Sequence, residues 1–66
     1  MNNRLGFEIA RDDFLYEYTV NNEAGLLTDG EPYVDEFGRW CQDVKDSDGD
    51  DYTLVMINGD IELHSI

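Results

Sequence analysis

Hydrophobic and polar residues alternate along the first third of the chain. Leu5, Phe7 and Ile9 are separated by polar or small residues, and aromatic and β-branched residues alternate with others over 14–20. A period of two is typical of half-buried strands. Because aromatic and β-branched side chains favour strands, the pattern predicts two strands in this segment.

A single helix is the alternative for the same segment. Phe7, Ala10, Phe14 and Tyr18 are also spaced so that they would share one helical face. The pattern leaves both interpretations of residues 7–20 open, and the residue types favour the strands.

Turn residues recur along the rest of the chain. The segments 22–25 and 35–38 share an Asn/Asp-Glu-x-Gly pattern, 46–50 is rich in Asp and Gly, and Asp29-Gly30 and Asn58-Gly59 are preferred two-residue hairpin turns. Turns at such short intervals predict an antiparallel meander.

The strongest predicted hairpin joins residues 52–57 to 60–66 through Asn58-Gly59. In its second arm Ile61 and Leu63 are expected to face inward. The outward positions are Asp60, Glu62 and His64.

Pro32 has no backbone N–H to donate, so a strand that contains it must lie at a sheet edge. A short helix near 31–37, with Tyr33 stacked on Phe37 and Gly38 at its end, is the alternative. The predicted fold is a single mainly β domain over 1–66, a small antiparallel β-meander of about five or six short strands, with an α+β architecture as the alternative.

Residues 33–39 read Tyr-Val-Asp-Glu-Phe-Gly-Arg, which resembles the Tyr-x-Asp-x-x-Gly-Arg kernel of the YD (Rhs-type) repeats. The kernel occurs once here, whereas those repeats come in long arrays. The resemblance implies a strand-turn-strand at this position and carries no functional implication.

Charge dominates the composition. Sixteen acidic residues face four basic ones, for a net charge of −12, and eleven of the acids lie in residues 28–66. The chain is 41% hydrophobic and has eight Phe, Tyr and Trp residues. This content is enough to form a core and argues against a disordered acidic tail. The scattered arginines and one lysine form no basic stripe, which argues against binding to nucleic acid or to an anionic membrane.

The size and the single cysteine set further expectations. A 66-residue chain is marginally stable without a disulfide, a metal or association, so binding to a partner or a homodimer is expected. The N-terminus has no signal-peptide pattern and a lone cysteine suits a reducing compartment. We therefore expect a cytoplasmic protein, in the host cytoplasm if it is viral.

Enzymatic chemistry is not predicted. Cys41 and His64 are the only cysteine and histidine, and the surrounding carboxylates should raise the thiol pKa instead of lowering it. No phosphate-binding loop or dinucleotide motif is present. The chain is therefore expected to be no enzyme and to need no cofactor.

Asp46, Asp48 and Asp50 resemble the start of an EF-hand calcium loop. The resemblance then fails, because Asp51 replaces the turn glycine and Ile57 occupies the position of the bidentate glutamate. The segment is predicted to be an ordinary turn, and the three aspartates are a weak candidate for a metal site. A calcium-binding module is a less favoured functional class.

The remaining candidate site is the set of acids itself. Residues i and i+2 of a strand share a face about 6.6 Å apart, and rows of carboxylates at such intervals can imitate nucleic-acid phosphates. Size and charge are similar to those of the small inhibitors that phages use against restriction, CRISPR or host nucleic-acid enzymes. The predicted function is therefore a protein-binding nucleic-acid mimic that occupies a basic cleft, with a nucleic-acid-binding protein as partner.

Exposed aromatic residues should anchor that interface, since binding energy concentrates in such side chains. A structural adaptor that binds by strand-edge pairing is the alternative, and an acidic surface that serves only solubility, as in halophiles, is a third. The predicted partner-binding residues are Asp29, Glu31, Asp35, Glu36, Asp43, Asp46, Asp48, Asp50, Asp51, Asp60, Glu62, Tyr33, Phe37, Trp40 and Tyr52.

Overall fold

One helix covers one face of a five-stranded antiparallel sheet in the computed structural model, which describes residues 3–66. This mostly β architecture with a helix confirms the predicted fold class in its α+β form. Among the described residues, no helix has the length and apolar content needed to cross a membrane. The elements are α1 (Arg4–Asn22), β1 (Leu27–Thr28), β2 (Tyr33–Val34), β3 (Trp40–Lys45), β4 (Asp51–Ile57) and β5 (Asp60–Ser65).

The helix α1 replaces the two strands predicted for residues 5–9 and 14–20, and that prediction is wrong. Asn3 caps its start, with Oδ1 accepting the Gly6 N–H at 2.6 Å. Glu23 ends it in the left-handed region, at φ 54°. In the turn predicted for residues 22–25, the left-handed residue is therefore Glu23 and not Gly25. The apparent period of two arises because both faces of α1 carry apolar residues, which makes successive apolar positions alternate between inside and outside.

The sheet order is β1-β3-β4-β5, with β2 also paired to β3. Both short strands therefore lie along the same edge of β3: Leu27 pairs with Lys45, and Tyr33 pairs with Cys41. The predicted hairpin turn at Asp29-Gly30 is wrong, since β1 and β2 do not pair with each other. Two strands of two residues cannot form a stable ladder alone, whereas β3 offers a continuous one.

Pro32 is buried in the interruption between β1 and β2, at the sheet edge where its missing N–H is tolerated. The alternative short helix near 31–37 is wrong, because Tyr33 and Val34 are extended and paired. The turn at 35–38 has Gly38 at φ 78°. The strand-turn-strand implied by the resemblance to the YD repeat kernel is confirmed.

The predicted C-terminal hairpin is also confirmed. Ile57 pairs with Asp60 across the two-residue turn, and Asn58 and Gly59 both have positive φ, 53° and 85°. A non-glycine residue tolerates this conformation best when it is Asn or Asp. Ile61 and Leu63 pack against the core as expected.

The core lies between α1 and the sheet. Leu26, Val44 and Leu54 form its buried centre, and the half-buried residues packed around it are Phe14, Leu15, Tyr18, Tyr52, Ile61 and Leu63. Farther along, the fully buried Phe7 stacks on Trp40 with ring centroids 6.0 Å apart. The pleat of β3 thus directs Trp40, Gln42 and Val44 toward the helix and its other residues toward the uncovered face.

Candidate partner-binding surface

No helix covers the face of the sheet opposite α1 in residues 3–66, and this uncovered face carries mostly polar side chains around the buried Cys41 and Val55. Residues paired in an antiparallel ladder lie on the same face. The register therefore groups Lys45 with Asp51, and Asp43 with Thr53 and His64. Glu62 joins them through its pairing with Val55.

Asp43 lies at the centre of this face and is held by two hydroxyl groups. Its Oδ1 accepts hydrogen bonds from the Tyr33 hydroxyl at 2.9 Å and from Thr53 Oγ1 at 3.2 Å. Burial, together with the Asp43 carboxylate, raises the pKa of Tyr33. The contacts join β2, β3 and β4, so the carboxylate has a defined position.

Two basic residues share this face. Lys45 pairs with Asp51, and that hydrogen bond is the main cause of the raised pKa of Lys45, to which Asp29 adds. Asp29 lies near the same end of the sheet, where its backbone N–H donates to the Asp43 carbonyl at 2.9 Å. His64 Nε2 lies 3.1 Å from Glu62 Oε1.

The turn at 46–50 projects carboxylates from that end. Asp46 Oδ1 accepts the backbone N–H groups of Asp48 and Asp50, each at 2.9 Å. Hydrogen bonds from the backbone, chiefly that of Asp50, lower the pKa of Asp46. The side chains of Asp48 and Asp50 are exposed.

One carboxylate oxygen each from Asp46, Asp48 and Asp50 lies within 4.8 Å of the other two. Oxygen atoms so close together can hold a hard cation such as calcium. However, Asp46 already supplies an oxygen to two backbone N–H groups, and such hydrogen bonding is the ordinary role of Asp at the start of a turn. The local geometry is that of the predicted turn.

We call seven of the predicted residues the acidic face, because they lie in the 46–50 turn or on the part of the uncovered sheet face that extends from Glu62 to this turn. Only Asp51 and Glu62 among them contact a basic side chain within residues 3–66. The acidic face consists of Asp29, Asp43, Asp46, Asp48, Asp50, Asp51 and Glu62.

Four other predicted acids lie elsewhere. Asp35 stabilises its own turn by accepting the N–H groups of Phe37 and Arg39, and it pairs with Arg39 Nη2 at 2.8 Å. The backbone hydrogen bond from Arg39 is the main reason that the pKa of Asp35 is lowered. Glu31 Oε1 lies 3.5 Å from Arg4 Nη2 of α1. The exposed Glu36 lies in the turn at the opposite end of the sheet, and the exposed Asp60 lies beside the 58–59 turn at that end, on the same sheet face as Glu62 and His64, as predicted.

The predicted aromatic anchors divide into two pairs. Phe37 is 74% exposed with the Arg39 guanidinium 5.0 Å from its ring, and Tyr33 is 40% exposed. Trp40 and Tyr52 are half-buried, and the expectation that they are exposed is wrong. Both lie on the helix-facing side of the sheet, where Trp40 stacks on Phe7 and Tyr52 packs against the core.

Cys41 is buried on β3. Burial, with the nearby Asp35 carboxylate as the next cause, raises its pKa to about 11, so the predicted direction is confirmed. The group is a neutral thiol at pH 7. Because β4 separates β3 from β5 and His64 lies two residues along from the position opposite Cys41, the backbones of Cys41 and His64 are about 12 Å apart.

Two features escaped the sequence analysis. One is Gln42, which is fully buried between α1 and the edge strands. The sequence did offer one signal of its burial, because Gln42 occupies the same side of a predicted strand as the apolar residues Trp40 and Val44. The other is the outer surface of α1, whose apolar residues were assigned to strands.

Comparison with known proteins adds no relative: no protein-family model, curated protein or solved structure matches this chain.

Proposed function

We propose that this protein inhibits a nucleic-acid-binding protein by placing its acidic face in that protein's basic cleft. The observation that carries the proposal is the grouping of seven carboxylates on one uncovered sheet face and its adjoining turn. Five of them, Asp29, Asp43, Asp46, Asp48 and Asp50, contact no basic side chain in residues 3–66. Their charge is therefore available to a partner.

The overall charge density supports the proposal. A net charge of −12 over a long dimension of 33 Å corresponds to one charge per about 2.8 Å. Duplex DNA carries one charge per about 1.7 Å of axis, and each of its strands one per about 3.4 Å. The protein falls between these two values, so a cleft built for nucleic acid would attract it strongly.

Attraction of this kind is fast, long-ranged and sensitive to salt. Tyr33, at the border of the acidic face, supplies an aromatic surface that can contribute to affinity. The targets in this proposal work in the cytoplasm, which is the host's if the protein is viral.

The test uses purified DNA-cleaving restriction and CRISPR enzymes with a labelled DNA duplex as substrate. We expect the protein to slow cleavage by at least one of them. The half-inhibitory concentration should rise at least about tenfold between about 0.05 and 0.2 M salt. A higher concentration of the substrate duplex should relieve the inhibition, because substrate and inhibitor compete for one cleft.

A pair of matched variants separates the acidic face from bulk charge. The triple variant Asp48→Asn, Asp50→Asn, Glu62→Gln should lose most of the inhibition. The triple variant Asp13→Asn, Glu17→Gln, Glu23→Gln removes the same charge from α1 and its C-terminal end, and should retain it. Equal inhibition by the first variant and the unmodified protein would refute the proposal.

An adaptor function is the second candidate, and the free edge of β5 favours it. Asp60–Ser65 pairs only with β4 within residues 3–66, so half of its backbone groups can accept another strand. Binding by strand addition would be nearly independent of salt and indifferent to added DNA, which distinguishes it from mimicry in the same assay.

A further inference from the structure

The outward face of α1 carries a row of large apolar side chains. Leu5, Ile9, Tyr16 and Val20 are 68%, 58%, 71% and 58% exposed. At 3.6 residues per turn, these four residues lie within an arc of about 60°. We call them the outer helix face; they point away from the sheet that Phe7 and its neighbours contact.

The exposed apolar residues of the outer helix face are regularly spaced and not scattered. Leu5 and Val20 are fifteen positions apart, so the row extends about 22 Å along the helix. Isolated exposed apolar residues are normal in proteins, whereas contiguous rows mark sites of association. The exposed Asp12 and Asp13 lie on either side of the row at its centre, and Asp12 is paired with Arg11 Nη2 at 3.0 Å.

Asp13, which has no ion pair within residues 3–66, and the net charge of the protein determine which occupant fits. A symmetric pair of identical helices would place Asp12 and Asp13 of both copies near the two-fold axis, between molecules that each carry a net charge of −12. Repulsion therefore disfavours a second copy of this chain. The same carboxylates disfavour an anionic membrane surface.

The charges favour a cationic protein. A Lys or Arg placed against Asp13 would be paired, and apolar side chains on either side of it would cover Leu5 with Ile9 and Tyr16 with Val20. We propose that the outer helix face docks a protein partner whose surface presents apolar residues on both sides of a central basic residue.

This surface is distinct from the acidic face, since α1 covers one side of the sheet and the acidic face lies on the other. Both can be occupied at once. The inference does not depend on the proposed inhibition, and it gives the protein two opposite binding surfaces.

The test uses a synthetic helical peptide of about 18 residues, long enough to span the row, with leucines along one face and two lysines at its centre. A control peptide has glutamates in place of the lysines. Titration into ¹⁵N-labelled protein at about 0.15 M salt should shift amide resonances of residues 5–20, and only with the lysine peptide. The double variant Ile9→Asn, Tyr16→Asn should bind at least tenfold more weakly.

Two controls exclude trivial results. Ile9→Val should retain binding, and thermal unfolding of each variant should confirm that it is folded. The triple variant Asp48→Asn, Asp50→Asn, Glu62→Gln should bind the peptide as the unmodified protein does, which separates this test from that of the acidic face.

Four outcomes would overturn the proposal. They are equal binding of both peptides, resonance shifts confined to the acidic face, a dimer in sedimentation that Ile9→Asn dissociates, and adsorption of α1 to phosphatidylcholine vesicles in preference to the peptide.

Discussion

At the scale of single residues, Gln42 is the polar group on which the edge of the sheet depends. Its side chain is fully buried. Oε1 accepts a hydrogen bond from Arg11 Nη1 at 3.1 Å, and Nε2 donates to the carbonyls of Gly30 and Asp43, each at 3.0 Å. One side chain therefore ties the helix to β3 and to the interruption between β1 and β2.

Replacing Gln42 with leucine should destabilise the protein by about 1–3 kcal/mol, because the Gly30 carbonyl and the half-buried Arg11 each lose a partner. Chemical denaturation monitored by circular dichroism measures the loss. Gln42→Glu is the informative companion variant, since it keeps the acceptor for Arg11 and loses both donors. If Gln42→Leu is as stable as the unmodified protein, the network does not stabilise the fold.

Residues that favour one local conformation were predictable from sequence. Asn58 and Gly59 tolerate positive φ at low cost, so the dipeptide specified its hairpin. Gly38 did the same in the turn before β3. The burial of Gln42 was not predictable, because it depends on strands that are distant in sequence and on Arg11 of the helix.

At the scale of elements, α1 is held on the sheet by an aromatic contact as well as by the aliphatic core. Phe7 is the one fully buried residue of the helix and stacks on Trp40 near the start of β3. Phe14 and Tyr18 continue the same face toward Leu54. Helical stability in a chain of this size comes mainly from such packing.

Phe7→Ala should therefore cost about 3–5 kcal/mol, comparable to the entire stability expected of so small a domain. We expect loss of the helical circular dichroism signal and a red shift of Trp40 fluorescence as the indole becomes solvated. Tyr16→Ala is the matched control on the opposite face and should change neither signal. A folded Phe7→Ala protein with unchanged fluorescence would contradict this account of the packing.

The helix was mispredicted for an instructive reason. Apolar residues on one face of a helix give a period near 3.6, but apolar residues on two opposite faces produce an apparent period of two. Leu5, Phe7 and Ile9 show this effect, since Phe7 is buried and the other two are exposed. The surplus apolar residues that misled the assignment are those of the outer helix face.

At the scale of the whole molecule, like charges oppose compaction. Twelve net negative charges occupy principal dimensions of 33 × 21 × 17 Å. The Debye length falls from about 30 Å at 0.01 M salt to about 8 Å at 0.15 M. Repulsion across the molecule is therefore unscreened at the first concentration and largely screened at the second.

Raising sodium chloride over this range at pH 7 should increase the melting temperature, measured by circular dichroism. The increase should be smaller for the variant Asp13→Asn, Glu17→Gln, Glu23→Gln, which carries three fewer negative charges. A melting temperature that falls with salt would show that the ion pairs, such as Arg39 with Asp35, outweigh the repulsion.

The sequence by itself determined the acidic charge, the positions of the tight turns at 35–38, 46–50 and 58–59, and the C-terminal hairpin, because these depend on composition or on neighbouring residues. Only the tertiary structure decided that residues 4–22 form a helix, that β1 and β2 share one edge of β3, and that seven acids lie on one face. Each of these outcomes depends on which distant surfaces bury one another, and local periodicity does not encode that choice.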